Sequence, residues 1–448
     1  MSASVELAPD EVPLARVRLE LLFDPGSFRA LRSAVGDGVL AGGGRVAGRP
    51  VLAWSQDATV YGGSLGAAGG VTIASTIERA SSGGVPVVGF VHSAGARLQE
   101  GAAALDAYAR IFRAQALATV PQVSVIGGAC AGGAAYSPAL GDITIMAGEP
   151  ARLFLTGPAV VEQVMREQVT AAELGGWRVH ARNGVSHLVA ADDVESAQLA
   201  RTVLSYFCTD GLAAPPHEPE PGDPSEPVPA EARKVYDVRD VARRLLDNHS
   251  LLELSPRWGR SLVVGLARLD GRAVGLIANQ PKFRGGTLDA ESSEKGAWFV
   301  NLCDRHGLPL LVLVDTPGFV PGLRQERAAV IRHGASLLRA FASCRSPRIT
   351  VTLRHAYGGA HIVMNSHSLG ASYTFAWPAA RIGVMGARQA VALTERRAIA
   401  DGADHDELAA AYEAAQLPAT VAAGGGLIDE LIEPLDTRER LICALEAC

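Results

Sequence analysis

The sequence predicts an α/β protein made of one fold twice in tandem, and three observations carry that reading. First, the run Cys130-Ala131-Gly132-Gly133-Ala134-Ala135-Tyr136-Ser137-Pro138 follows the apolar stretch Val123-Ser124-Val125-Ile126. A β-rich run feeding small residues and two adjacent glycines describes a buried strand turning into a helix, where bare backbone N–H groups can face an oxyanion. Second, the pattern recurs: Arg354-His355-Ala356-Tyr357-Gly358-Gly359-Ala360-His361 follows Ile349-Thr350-Val351-Thr352-Leu353. A single Gly-Gly of this kind is more often a tight turn without chemistry, and the second copy changes that weighting. Third, the halves align elsewhere. Val46-Ala47-Gly48-Arg49-Pro50-Val51 matches Leu269-Asp270-Gly271-Arg272-Ala273-Val274 at an offset of 223 (271 − 48). Tyr61-Gly62-Gly63-Ser64-Leu65-Gly66 matches Arg284-Gly285-Gly286-Thr287-Leu288-Asp289 at the same 223 (285 − 62). The Gly-Gly turns lie 226 apart (358 − 132), a drift that small loop insertions produce.

Size and charge agree. At 448 residues the chain exceeds what one core usually holds, and two domains of about 200 residues each fall in the common range. Hydrophobic residues make up 48% and charged ones 20%, enough to bury a sizeable core. A net charge of −6 argues against general nucleic-acid binding, which needs a basic excess to neutralise phosphates. The six cysteines, Cys130, Cys208, Cys303, Cys344, Cys443 and Cys448, form no C-x-x-C pair, which speaks against a metal site. Met1 to Pro13 lacks an apolar signal core, and no uncharged apolar run reaches the ~18 residues of a membrane span. The expectation is a cytoplasmic protein with reduced thiols.

In chain order, Leu14 to Phe23 reads as a short helix stopped by Asp24-Pro25-Gly26, and strands flank a hairpin at Gly48-Arg49. Ser75 to Ala80 begins a helical pattern. Val85 to Val91 is an apolar run of buried-strand type, delivering His92-Ser93-Ala94-Gly95-Ala96-Arg97 at its carboxyl end, where α/β folds bind ligands. His92 and Ser93 do not read as a hydrolase pair, because adjacent strand-end residues point apart and no G-x-S-x-G elbow accompanies them. Ala102 to Ala118, with Tyr108, Ile111 and Phe112 at helical spacing, packs as core. Ile143 to Met146 and Arg152 to Leu155 are strands, and Gly157-Pro158 opens a helix. Ala213 to Glu231, with seven prolines among acidic residues, reads as a semi-rigid linker rather than a packed element, dividing domains at 1–212 and 233–448 with 213–232 between. In the second half Leu310 to Val314 leads into Asp315-Thr316-Pro317-Gly318, the counterpart of the His92 turn. A helix over Gln325 to Ala342 follows, with strands near Thr374-Phe375-Ala376 and Arg381 to Val384 after the second Gly-Gly turn.

Gly62-Gly63-Ser64-Leu65-Gly66, Ala96-Arg97-Leu98-Gln99-Glu100-Gly101, the Ala131 to Pro138 turn, Ala278-Asn279-Gln280-Pro281, Pro317-Gly318-Phe319-Val320-Pro321-Gly322 and Ala376-Trp377-Pro378 stand in one order along nearly the whole chain. Together they resemble the carboxyltransferase β subunit of acyl-CoA carboxylases, of the acetyl- and propionyl-CoA type. The resemblance implies two tandem crotonase-like domains, each a superhelix of ββα units. It also implies a homohexamer in which the N-terminal, acyl-CoA domain of one subunit faces the C-terminal, biotin domain of its neighbour, and partnership with a biotin carboxylase and biotin carrier protein subunit. The implied reaction moves CO₂ from carboxybiotin to the α-carbon of an acyl-CoA, giving malonyl-CoA or methylmalonyl-CoA for fatty-acid or polyketide precursors.

By the family pattern, the N–H groups of Gly132 and Gly133 hold the thioester oxygen and those of Gly359 and Ala360, with Gly358, the biotin oxygen. Gly62, Gly63, Ala96, Arg97, Tyr136 and Ile362 would line the acyl-CoA site. Biotin released from its carboxylate takes the α-proton itself, so no side-chain base is expected. The chain departs from the pattern in carrying His92 where many members have Asp, and Thr72 and Ser75 where many are basic. Both ends look short beside the family's longer basic termini. Ile362 stands where propionyl-selective relatives often have Asp, which leaves acetyl-CoA and propionyl-CoA both open. Two other readings stay open, a biotin-dependent acyl-CoA decarboxylase subunit and a non-catalytic scaffold. The two intact Gly-Gly turns speak against the second.

Overall fold

The computed structural model describes residues 12–207, 214–231 and 234–448 and divides into two compact units, Met1–Cys208 and Thr209–Cys448. In the first unit the strands are β1 (Arg29–Leu31), β2 (Val39–Val46), β3 (Arg49–Gln56), β4 (Val87–Ser93), β5 (Gln122–Ala131), β6 (Ile143–Ala147), β7 (Arg152–Phe154) and β8 (Leu188–Ala190). They form one sheet in the order β1-β2-β3-β4-β5-β6-β8, with β7 on the far end of β5. The pairs β1–β2 and β2–β3 are antiparallel, and every later pair is parallel.

The second unit repeats this strand for strand. Its strands are β9 (Leu252–Leu254), β10 (Leu262–Leu269), β11 (Arg272–Asn279), β12 (Leu310–Thr316), β13 (Arg348–Tyr357), β14 (Tyr373–Ala376), β15 (Arg381–Gly383) and β16 (Glu430–Leu431). Their order is β9-β10-β11-β12-β13-β14-β16, with β15 on β13. Both hairpins turn on two left-handed residues, Ala47-Gly48 in one unit and Asp270-Gly271 in the other, as two-residue connections favour.

Each sheet is buried by helices on an apolar face. In the first unit Trp54, Ile73, Tyr108, Ile126 and Met146 share one core. In the second, Val241, Leu276, Phe375, Trp377 and Leu441 do so. The helix expected from Ser75 starts earlier, at Ala67, and runs to Gly83. Gly69 and Gly70 hid its first turns, being poor helix formers. Their smallness serves packing: a Cβ on Gly70 would lie 2.4 Å from that of Ala107 on the helix Ala102–Leu117. The single helix expected over Gln325 to Ala342 is instead two, Leu323–Arg327 and Val330–Ser343, broken where Ala329 turns left-handed at φ 55°.

The proline-rich segment also differs from expectation. Its described part carries no helix or strand, yet it is packed on the second unit. Ala214 N–H donates to Gly271 O at 2.9 Å, Val228 rests on the core, and the Arg354 guanidinium donates to the carbonyls of Pro229, Glu231 and Lys234 at 3.3, 3.4 and 2.9 Å. Prolines cannot donate to a sheet, but peptide carbonyls still accept, and a buried arginine collects them. The expected limits at 212/213 and 232/233 lie at or outside the edges of the described residues. Among the described residues no helix is long and apolar enough to cross a membrane, and no His/Cys/Asp/Glu group is placed to hold a metal ion.

Candidate active site

In the first unit β5 ends at Ala131, and the chain reverses into a single turn, Gly132–Ala135, that feeds the helix Tyr136–Leu140. Gly132 makes the reversal at φ 60°, a left-handed conformation costly for any side chain. The N–H groups that open a helix have no acceptor inside it, so this turn presents donors ahead of itself. Beside it lies the carboxyl end of β4. A Cβ on Gly132 would reach to 4.0 Å from Gly95 Cα, and a parallel bridge pairs Leu65 with Ala96. Leu65 N–H donates to Gly95 O at 2.8 Å and Arg97 N–H to Leu65 O at 2.9 Å, so the bridge leaves the Ala96 N–H out. Gly63 closes the third side: a Cβ there would sit 2.2 Å from His92 O, at φ 72°. Gly62, Gly63, Ala96, Gly132 and Gly133 thus converge within one unit. Tyr136 is half exposed at the rim, edge-on to Phe112 with centroids 6.0 Å apart.

Arg97 is anchored by contacts within the first unit. It is buried, paired with Asp37 and with Glu100 at 2.8 Å, donates to Ser64 O at 2.9 Å and lies over the Tyr61 ring at 4.6 Å. Its charge is used within the chain. It ties the Gly62-Gly63 turn to the strand end, holding the floor of the site.

His92 and Ser93 do not form a catalytic pair. The Ser93 hydroxyl, fully buried, lies 3.3 Å from Tyr108 Oη and accepts from Gly95 N–H at 3.2 Å. Burial pushes the Tyr108 hydroxyl up to about 12, which the Ser93 contact partly offsets. The same Tyr108 ring backs Gly133, whose added Cβ would meet it at 3.0 Å. Burial and then the nearby Arg18 guanidinium hold the His92 ring below its ordinary value, so it stays neutral and uncharged beside that arginine.

The second unit builds the same turn. Gly358 reverses at φ 59° and opens the helix Gly358–Val363. A Cβ on Gly286 would lie 2.3 Å from Asp315 O, the twin of the Gly63 approach, and Leu288 bridges Phe319 as Leu65 bridges Ala96. A Cβ on Gly359 would meet only the Phe319 ring, at 3.9 Å, so space lies open before this turn. Ala360 is buried, whereas Ile362 is 49% exposed and Tyr136, its equivalent 226 residues earlier, 52%. Behind the turn the wholly buried Asp315 carboxylate accepts from Arg354 Nε at 3.0 Å and from His355 N–H at 3.1 Å, with His355 Nδ1 at 3.2 Å.

Sequence reasoning missed Tyr108, Phe319, His361 and the Asp315–Arg354–His355 group. The 223-residue offset that matched the halves would have placed Phe319 opposite Ala96. Nothing in the sequence joined Asp315 to Arg354. The first turn carries no acid or base of its own, and the second carries one histidine, His361. What both offer is a set of preorganised N–H donors before open space, which fits an oxygen that becomes negative in the transition state, as a thioester or ureido carbonyl oxygen does.

Comparison with known proteins agrees with this geometry. The family model for the carboxyl transferase domain matches residues 12–448. The propionyl-CoA carboxylase carboxyltransferase subunit of Haloferax mediterranei is 42% identical, over 96% of this chain and 89% of that protein. The biotin-dependent acetyl-/propionyl-coenzyme A carboxylase beta6 subunit of Mycobacterium tuberculosis is 43% identical, over 96% of this chain and 93% of that one. Among solved structures, the transcarboxylase 12S hexamer with methylmalonyl-coenzyme A and methylmalonic acid bound superposes with a TM-score of 0.92 at 41% identity, covering 97% of this chain and 89% of that one. The two units are tandem crotonase-like domains, and the chain belongs to the carboxyl transferase domain family, as a carboxyltransferase.

Proposed function

We propose that the chain moves a carboxyl group from carboxybiotin to the α-carbon of a short acyl-CoA, acetyl-CoA or propionyl-CoA, giving malonyl-CoA or methylmalonyl-CoA. The observation that carries this reading is the duplicated turn, Gly132 at φ 60° and Gly358 at φ 59° at the carboxyl ends of equivalent strands. The reaction develops negative charge on two oxygens, and the protein has two sets of donors of one geometry. The N–H groups of Gly132 and Gly133 hold the thioester oxygen as the acyl-CoA becomes an enolate. Those of Gly359 and Ala360, placed by Gly358, hold the ureido oxygen. Carboxybiotin supplies the activated carboxyl group and, once relieved of it, the base. Gly62, Gly63 and Arg97 shape the floor on the acyl-CoA side, Ala96 borders the thioester, and Tyr136 and Ile362 form the apolar rim.

The names of the relatives support the biotin and acyl-CoA parts of this reading, and the 12S assembly supports a hexamer, in which we read each site as lying between subunits. A biotin carboxylase and carrier subunit would supply the carboxyl group, in the cytoplasm. The domains are read as 1–212 for acyl-CoA and 233–448 for biotin, with 213–232 joining them.

The test is carboxyl transfer from a carboxylated biotin carrier protein to a panel of acyl-CoAs of increasing length, with malonyl-CoA decarboxylation followed in parallel. Transfer to short acyl-CoAs is expected, and Ile362→Asp should change the acetyl-CoA to propionyl-CoA ratio by about tenfold, the scale of one pocket contact. Transfer to none of them would overturn the assignment, and an unchanged ratio would remove Ile362 from the pocket.

A further inference from the structure

The internal repeat allows the two turns to be compared residue by residue. Gly132, Gly133 and Ala134 correspond to Gly358, Gly359 and Ala360, with the same residue types and left-handed angles of 60° and 59° at the reversal. Backbone donors of one geometry cannot by themselves tell a thioester from a ureido ring. The first difference comes one residue later, where the first turn has the buried Ala135 and the second has His361. His361 is half-buried, and no hydrogen bond ties either ring nitrogen to another described residue.

The ligands differ in a matching way. Next to its carbonyl a ureido ring carries an N–H donor, which a thioester lacks. A neutral imidazole has one nitrogen that accepts. We propose that His361 is a specificity-determining residue of the biotin half-site, its unprotonated ring nitrogen accepting the ureido N–H while Gly359 and Ala360 hold the ureido oxygen. This rests on the assignment of the second turn to biotin made above. Ala135 has no acceptor to offer, so the acyl-CoA turn is left without this contact.

Burial lowers the His361 ring below its ordinary value of 6.5, which keeps the accepting nitrogen available at neutral pH. The elements packed against its helix carry Arg332, His333 and Arg339 on Val330–Ser343, Asp315 on β12, Arg348, Arg354, His355 and Tyr357 on β13, and His367. Burial is the one cause of the shift, with no contribution from those groups.

The experiment runs the reaction backwards, with free biotin as acceptor and methylmalonyl-CoA or malonyl-CoA as donor, at about pH 8 and about pH 5, the acid arm set well below the ordinary histidine value because burial lowers this ring. His361→Ala should raise the KM for biotin roughly threefold to tenfold at the higher pH, the worth of one neutral hydrogen bond, with the acyl-CoA KM unchanged. His361→Gln, whose amide oxygen accepts at any pH, should restore the biotin KM and abolish the rise that the unsubstituted protein shows on acidification. An unchanged biotin KM in His361→Ala, or an equal rise in both KM values, overturns the proposal. Gly359→Val separates this from the reading beneath it. If that variant also spares biotin use, the assignment of the turn is wrong. If it abolishes biotin use while His361→Ala does not, His361 alone is excluded.

Discussion

On the proposed reading, Gly133 carries chemistry with no side chain. Its N–H is a donor at the turn, and its missing Cβ leaves room for both the ligand and the Tyr108 ring, which an added Cβ would meet at 3.0 Å. Gly133→Val should therefore lower turnover by about 10²–10³ or more, the usual cost of losing an oxyanion donor. Ser93→Ala removes only a hydroxyl that touches Tyr108 and the Gly95 N–H, and should keep turnover within about tenfold. Initial rates on purified variants of unchanged oligomeric state check this. Loss by several thousandfold in Ser93→Ala would mean that a side-chain nucleophile or base acts after all. The glycines of this site were legible because a left-handed angle or a 2.2 Å approach excludes other residues. Arg97 was visible as a motif residue, but its internal pairing with Asp37 was not, because those residues are 60 apart in sequence.

At the scale of elements, the equivalent strand ends of the two units solve the same burial problem differently, one with a carboxylate and the other with a neutral ring. In the second unit the end of β12 carries the Asp315 carboxylate, answered by Arg354 from β13. In the first, His92 takes the place of Asp315 and Gly128 that of Arg354. A Cβ on Gly128 would fall 2.4 Å from the His92 ring, which fills the vacated space. Arg18, from the helix Leu14–Leu22, then supplies the cation, donating to Gly127 O at 2.8 Å and Asp193 at 3.0 Å. The first unit thus needs neutral imidazoles. His187 Nδ1 accepts the Thr144 N–H at 2.9 Å, and burial pulls that ring down to about 4. In the unfolded chain both rings titrate near 6.5. Below that pH the unfolded state binds more protons, so stability falls as pH falls. Above it both states are neutral and neither ring contributes. The share of stability that these two rings carry should be level from about pH 8 to pH 6.5, then weaken by up to about 1.4 kcal/mol per pH unit for each ring, read as the difference between thermal unfolding of the unsubstituted protein and of a variant lacking the ring. His92→Gln should reduce that slope, and an unchanged slope would show that His92 accepts a proton when folded. The strands were readable from their apolar runs, but this exchange of partners joins residues far apart and leaves no local pattern.

Over the whole molecule the repeat is what made function legible. An offset of 223 residues links the hairpins and bridges and one of 226 links the Gly-Gly turns, so two sequence halves implied two sites of one geometry before any contact was known. Helix boundaries were less readable, since Gly69 and Gly70 answer to the neighbouring helix rather than to helix propensity. On the proposed reading one set of donors serves the thioester, the other serves biotin, and a working site takes one from each of two subunits. Co-expressing Gly133→Val and Gly359→Val chains tests it most directly, by comparing carboxyl transfer in the mixed oligomer with that of each variant alone. Each alone should be inactive, while random mixing should restore about a quarter of normal turnover, because such sites draw an intact first turn from one subunit and an intact second turn from its neighbour. Mixed oligomers as inactive as the separate variants would contradict the account, placing both turns of each site within a single chain.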